Sequence, residues 1–458
     1  MTVSISNQLP TDIAGRIIRP DDADYDATRQ ILSGAYDRHP AVIVRAANAD
    51  DVARVVRFAR ETGAELAVRA GGHSNAGHSS TEGGIVLDLR DMNALEVDVE
   101  SRTAWAEGGM TAGAVTSALA EHGFAIPFGD TGSVGIGGLT LGGGVGYLVR
   151  RHGMTIDNLI AAEIVTADGE LLSVDAEHHP DLFWAIRGGG GNFGVVTRFQ
   201  FRLQPLDGIV GGMLVLSATP DTIAGFIAAA EAAPEELSTI ANVMSAPPMP
   251  FLPEEVHGRI VILAMLAYAG DAREAERVLA PFRALAEPLA DMLRPMSYPE
   301  MFPPEDPNYH PTAAATTMFV DHVDRDVAET ILRFLESSDA TMRVAQLRVL
   351  GGAMSRVPAD ATAFAHRSRR IMVNLAAFYG PADRAQREGW VGDFAAAIDQ
   401  GAAGAYVNFL VDEGPERVRA AYPGATWDRL ASVKARYDPT NLFRLNQNVP
   451  PVAAPGSA

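Results

Sequence analysis

The chain contains no cysteine. That absence excludes disulfides, thiolate-held metals, iron–sulfur clusters and a cysteine nucleophile together. Basic residues are scarce: 37 Lys and Arg stand against 57 Asp and Glu, a formal net charge of -20. A surface of that sign repels nucleic acid and anionic membrane, which need clustered cations, and no basic block interrupts it. Long apolar runs are missing too. The longest, "IVILAMLAYAG" from Ile260, is too short to span a bilayer. The opening "MTVSISNQLPTDIAG" has neither the basic-then-apolar order of an export signal nor a twin arginine, so the expected location is cytoplasmic. No segment repeats at a fixed period, which excludes a solenoid.

What is present suits a folded protein of more than one core. A length of 458 residues exceeds one small core, and a hydrophobic content of 47% supplies ample material for two. From Pro40 to Leu203 short apolar runs alternate with amphipathic segments. "AVIVRA" reads as a strand. "NADDVARVVRFARETG" reads as a helix capped by Asn48 or Asp50, with Val52, Val55, Val56 and Ala59 on one face and Gly63 as its stop. "ELAVRA" is the next strand. "GIVLDLRDMNALEVDVESRTAWAEGG" reads as several short strands. "TAGAVTSALAEHG" predicts a helix from a Thr111 cap to Gly123. "ADG" within "LIAAEIVTADGELLSVD" marks a hairpin, and "GVVTRFQFRLQPL" is a strand ended by Pro205.

Beyond Pro205 the style changes. Ala-rich helices are expected at "TIAGFIAAAEAA", "DAREAERVLAPFRALAEPLADML" and "DVAETILRFLESS". Strands are expected at "GRIVILAMLAYAG", "MRVAQLRVLGG", "RIMVNLAAFYG" and "GAYVNFLVD". Pro-rich intervals such as "PEMFPPEDPNYHP" read as long loops, and "TWDRLASVKARYDPTNLFRLNQNVPP" as a helix stopped at Asp438-Pro439. The fold class expected is α+β, with a second domain beyond Pro205 whose helices cover one face of a sheet.

Three glycine-rich stretches punctuate the first domain: "RAGGHSNAGHSS" from Arg69, "GDTGSVGIGGLTLGGGVGYL" from Gly129, and "DLFWAIRGGGGNFGVVT" from Asp181. Glycine clusters cost entropy on folding, and one use for them is backbone that approaches a ligand closely. Exposed N–H groups in such loops cradle a pyrophosphate without basic side chains, which fits an acidic protein. The spacing is not the Rossmann fingerprint. "GIGGLT" has Thr140 where the last glycine belongs, and no acidic residue is clearly placed to hold a ribose. A histidine in a glycine loop is either satisfied by backbone or kept free for chemistry. His73 and His78 alone are too few for a metal site, and no further ligands are evident.

"VRAGGHS", "GSVGIGGLTLGGGVGYL", "DLFWAIRGGGGNFGVVTRF" and "RYDPTNLFRLNQNVP" together resemble the FAD-linked oxidases of the vanillyl-alcohol oxidase / p-cresol methylhydroxylase superfamily, in its berberine-bridge-enzyme-like branch. The resemblance implies the two-domain FAD-binding fold of the p-cresol methylhydroxylase type, with an FAD-binding domain over residues 1–207 to which 412–458 return and an inserted substrate domain over 208–411. It assigns the histidine of "GGH", His73, to a covalent bond with the 8α carbon of FAD. The residues implied around the cofactor are Arg69, Gly71, Gly72, Ser74, Asn75, Gly77 and His78 in the first stretch. The second contributes Thr131, Val134, Gly135, Gly138, Gly142 and Gly143, and the third Asn192, Gly194 and Val196. Later segments add Asn408, Asn446 and Asn448. Many relatives make a second flavin bond through a cysteine at the position of Thr131; without cysteine that bond cannot form.

The resemblance also implies a substrate face on "QLRVLGG", where Gln346 and Arg348 align with catalytic positions, and on "YVNF". There Tyr406 and Asn408 match the pattern, but Phe409 replaces a tyrosine that serves as base in sugar-oxidising relatives. Arg348 either holds a substrate carboxylate or makes an ordinary salt bridge. Tyr147, Tyr406, Tyr309 and His310 remain as hydrogen-bonding or proton-accepting groups. The activity implied is hydride transfer from a C–H of a small alcohol, sugar or amine to FAD, with reoxidation by O2 to hydrogen peroxide. A dehydrogenase using another acceptor, or a flavin-binding protein without oxidase turnover, are the alternatives. The expected partners are a small-molecule substrate and O2, with no nucleic acid or membrane, in a monomer or homodimer.

Overall fold

The computed structural model describes residues 8–306, 308–380 and 382–452. Three sheets organise it. The first has four strands in the order Arg16–Ile18, Val42–Arg45, Ile85–Asp88 and Leu66–Arg69; the last three run parallel and the first antiparallel. The helix Ala49–Thr62 makes the crossover. Asn48 caps it by accepting from Asp51 N at 3.0 Å, Val52, Val55, Val56 and Ala59 are buried, and Gly63 ends it at φ 69°. The second sheet is antiparallel, in the order Leu95–Asp98, Thr103–Glu107, Val195–Arg202, Leu159–Val165, Leu171–Asp175. The last two strands are the hairpin expected from "ADG". The strand from Val195 stops at Arg202, and Pro205 pairs instead in a two-residue bridge with Phe124.

The third sheet is antiparallel and has eight strands. Its path is Ala290–Asp291, Ile209–Ser217, Ile260–Tyr268, Leu237–Ser245, Arg343–Val349, Ile371–Phe378 and Ala313–Val320, with Arg294–Met296 also paired to Ile209–Ser217. Pro220–Ala232, Ala275–Arg283, Arg325–Ser337 and Arg384–Ile398 cover one face. Alternation in the strand Arg343–Val349 sends Ala345, Leu347 and Val349 into that core and turns Gln346 and Arg348 to the opposite face. Leu203 packs in the core of the second sheet and Val210 in this one; Ala405 and Val407 are already back in the former.

Two expectations fail here. The helix expected over 271–293 ends at Arg283. Pro288 lacks the N–H that a helix needs, and the residues after it join the sheet edge instead, with Leu289 N on Val215 O and Met292 N on Met213 O. "GAYVNFLVD" is no strand. It forms a 3₁₀ turn at Val407–Phe409, because the Tyr406 and Asn408 side chains are spent on hydrogen bonds to the glycine-rich helix Ile136–Gly142 and its exit.

Candidate active site

The three glycine stretches converge on one cavity of about 510 Å³, within the range of roughly 300–1,000 Å³ typical of cofactor and ligand sites. The strand Leu66–Arg69 delivers the first loop. Gly71, Gly72, His73, Ser74, Asn75 and His78 line the cavity. The N–H groups of Gly72, His73, Ser74 and Asn75 donate to no described residue, so four successive backbone donors remain free beside the cavity. Arg69 is turned away. Buried, it donates to Ser79 O at 3.0 Å and Thr28 O at 2.5 Å, tying the loop's exit to the short helix Tyr25–Arg29. Burial pulls its pKa down to about 10, so it stays cationic near neutrality. Gly77 also stands behind the wall, against the Tyr36 ring.

The second loop crosses the first at glycine contact distance. A Cβ on Gly71 would lie 2.2 Å from Gly135 N, and one on Gly135 would lie 2.1 Å from Gly71 N. No side chain fits at either position, so the two backbones touch. Thr131, Val134, Gly135 and Gly138 line the cavity. A Cβ on Gly138 would meet no protein atom within 4 Å, so this position faces open space. Gly142 and Gly143 do not line it: they receive Asn408, and Met154 with Tyr406. From the third loop Gly194 and Val196 reach the wall. Asn192 instead ties the loop to the later segment, donating to Gln447 O at 3.1 Å and accepting from Val449 N at 2.9 Å. Buried Lys434 braces the same junction on Asn192 O at 2.8 Å and Asp438 Oδ2 at 2.6 Å. Residues 405–447 close the cavity with Tyr406, Asn408, Phe409, Phe443 and Asn446. Asn446 Oδ1 is buried without a partner among the described residues and awaits a donor. Asn448 stands outside the lining.

The residues expected for catalysis separate. Tyr406 lines the cavity, its Oη accepting from Gly144 N at 2.9 Å and from Asn408 Nδ2 at 3.1 Å. Tyr147, Gln346 and Arg348 do not line it. Burial raises the phenols of Tyr147 and Tyr406, which therefore remain protonated at neutral pH. Arg348 is used up by protein. Its Nη2 meets Asp130 Oδ2 at 2.6 Å, its Nε meets Gln346 Oε1 at 2.9 Å, its Nη1 meets Val145 O at 3.3 Å, and its guanidinium stacks 4.9 Å from the Phe409 ring centre. Gln346 is held in turn by Asn242 at 2.9 Å. Of the two readings of Arg348, this geometry is the salt bridge. Of the other groups left open, Tyr309 lines the cavity, and His310 donates to Ile31 O at 2.8 Å.

Sequence reasoning missed three residues. Asp130 lines the cavity directly before Thr131, and its Oδ1 has no partner among the described residues. Ser133 and Glu305 form a line with His73: His73 Nε2 to Ser133 Oγ is 2.9 Å, and Ser133 Oγ donates to Glu305 Oε2 at 2.5 Å. Asp130 could have been noticed from its place in "GDTG". Glu305 carried no signal, since it sits in a Pro-rich loop. Asp130 and Glu305 are the two carboxylates among the lining residues. Among the described residues no group of three or more His, Cys, Asp or Glu could hold a metal, and no helix is long and apolar enough to cross a membrane.

Comparison with known proteins bears on this site. A family model described as "FAD binding domain" matches residues 40–175, and one described as "Berberine and berberine like" matches 405–450. (R)-6-hydroxynicotine oxidase of Paenarthrobacter nicotinovorans is 31% identical over 469 residues, covering 96% of this chain and 98% of that one. The FAD-linked oxidoreductase YgaK of Bacillus subtilis is 31% identical over 457 residues, with coverage of 96% and 98%. Among solved structures, the crystal structure of 6-hydroxy-D-nicotine oxidase from Arthrobacter nicotinovorans superposes with a TM-score of 0.84 at 29% identity, covering 96% of this chain and 98% of that one.

Proposed function

Since this chain belongs to the FAD-linked oxidoreductases of the p-cresol methylhydroxylase-type fold with a berberine-like segment, we propose that it is an oxidase of a small alcohol, sugar or amine, with FAD bonded covalently to His73 and O2 as electron acceptor. FAD, when bound, would supply the two-electron chemistry, hydride uptake from the substrate C–H and its delivery to O2 as hydrogen peroxide. The observation that carries this reading is the convergence of three glycine loops and residues 405–447 on one cavity with His73 in its wall. The donor nest of Gly72 to Asn75 suits a diphosphate. The open position at Gly138 and the unpartnered Asn446 Oδ1 suit a flat, hydrogen-bonding ligand.

The chain's own residues divide the remaining work. Asp130 Oδ1 takes the proton of the substrate's O–H or N–H, while Oδ2 stays fixed on Arg348. Arg348, Gln346 and Asn242 form the relay that holds that carboxylate from the sheet side. Val134, in the cavity wall, is the side chain beside which O2 approaches in this reading. The same reading divides the chain into a cofactor region, residues 1–207 with 412–458, and a substrate region, residues 208–411; the return is foreshadowed at Ala405. The relative named as a 6-hydroxynicotine oxidase puts amines first in the substrate panel.

The test is a screen of amines, alcohols, sugars and phenols for peroxide release, with anaerobic flavin bleaching as parallel readout and acid precipitation of the protein. Flavin retained in the precipitate, together with bleaching and peroxide from one class, supports the proposal. Bleaching without peroxide would make the protein a dehydrogenase. No bleaching by any class would make it a flavin binder without turnover.

A further inference from the structure

The hydrogen-bond line from His73 has only one consistent direction. Glu305 as carboxylate only accepts, and Ser133 also gives Glu305 Oε1 its backbone N–H at 3.1 Å. The single hydroxyl proton of Ser133 therefore lies toward Glu305 Oε2, 2.5 Å away. What Ser133 Oγ then offers His73 Nε2, at 2.9 Å, is a lone pair. Nε2 must carry a proton to use it, and Nδ1 is left bare with no partner among the described residues. Burial lowers the pKa of His73, with Glu305 opposing, which favours the neutral ring this pattern requires. Glu305 comes from the loop that follows Phe302, so the region carrying the eight-stranded sheet reaches over to set a tautomer in the first glycine loop.

We propose that Ser133 and Glu305 are positioning residues for cofactor attachment: they hold the proton of His73 on Nε2, so that Nδ1 is the nitrogen that bonds the flavin. The inference rests on the covalent reading of His73 given above. Attachment breaks one C–H bond of the ring methyl and makes one Nδ1–C bond. The C–H electron pair stays in the ring and reduces it, and the methyl proton is returned to the reduced ring through solvent. Oxygen, with one proton from solvent, then removes the electron pair and ring proton as hydrogen peroxide. The alkylated imidazole is a cation until Nε2 releases its proton, and the Ser133–Glu305 line places a carboxylate behind that charge.

The full-length chain supplied with FAD gives the test, read as flavin retained after acid precipitation over time. NMR of the flavin peptide identifies the bonded nitrogen. The wild type is expected to attach FAD through Nδ1. Ser133→Ala and Glu305→Gln are expected to bind FAD without the bond and to attach it more slowly, on the order of tenfold or more. Ser133→Thr, which keeps the hydroxyl, is expected to restore the rate; a merely structural role would not predict that rescue. Glu305 is exposed, so its variant keeps the assay valid if a Ser133 variant misfolds. A bond at Nε2, or wild-type attachment rates in Ser133→Ala or Glu305→Gln, overturns this proposal and leaves the covalent reading standing. Release of all flavin by acid from the wild type overturns both.

Discussion

Arg348 and Asp130 meet between the eight-stranded sheet and the second glycine loop, Nη2 to Oδ2 at 2.6 Å, with side chains only 5% and 22% exposed. A pair this enclosed fixes the carboxylate more than it strengthens the fold, because desolvation offsets much of the attraction.

The first prediction follows from that pair. Arg348→Ala should slow anaerobic flavin reduction about equally for neutral and acidic substrates, since the guanidinium serves Asp130 and not the ligand. Arg348→Ala and Asp130→Asn should couple by about 1–3 kcal/mol in a double-mutant cycle of the reduction rate. A KM rise confined to acidic substrates would instead place Arg348 on the substrate.

Two glycines make a contrasting pair. Gly71→Ala brings a methyl to 2.2 Å from Gly135 N and forces the touching backbones apart. It should cost about 3 kcal/mol or more and melt the flavin-free chain at lower temperature. Gly138→Ala adds a methyl that meets no protein atom within 4 Å. It should leave flavin-free stability within about 0.5 kcal/mol and weaken flavin retention. Melting curves with and without FAD, and flavin fluorescence after gel filtration, distinguish the two cases.

Acid should destabilise the protein through buried histidines. Burial pushes His78, His152 and His366 down to about 4, against about 6.5 in an unfolded chain. Below pH 6.5 the unfolded chain takes up protons that the folded one refuses. The stabilisation is therefore complete above 6.5 and is lost progressively as pH falls to 4. For His366, which donates to Ala421 O at 3.1 Å, this amounts to on the order of 1–3 kcal/mol. His366→Asn should flatten the fall of Tm between pH 6.5 and 4, whatever it does to Tm at pH 8.

Val134 lines the cavity, and one added methylene in a close-packed wall is enough to fill a diatomic-sized gap. Val134→Ile should slow reoxidation by O2 about tenfold or more while leaving reduction by substrate nearly unchanged, the two half-reactions being separated by stopped flow. Reduced wild-type flavin that persists for minutes in air would argue for a different electron acceptor.

What the sequence revealed was local. Asn48, Thr111 and Gly63 mark helix ends because caps act within one turn, and the "ADG" hairpin is fixed by its own residues. The glycine loops and His73 were legible for the same reason. The Asp130–Arg348 and Ser133–Glu305 contacts join positions 218 and 172 residues apart, and nothing near either end announces the other. Composition misled at 271–293, where helix-forming residues hide a sheet edge until Pro288 intervenes. It misled again at "GAYVNFLVD", where the spacing of a strand serves two side chains that hold a glycine helix.

The wall contributed by residues 405–447 has a consequence for synthesis. A chain leaves the ribosome from its N-terminus at roughly 5–20 residues per second. The three glycine loops thus emerge on the order of ten seconds or more before Asn408 and Asn446 can face them. During that interval the nest of donors and the apolar wall at Leu139 and Leu141 lack their cover. Closure of the cavity therefore waits for the chain beyond Tyr406, and a nascent chain stalled before that residue would leave the apolar wall uncovered.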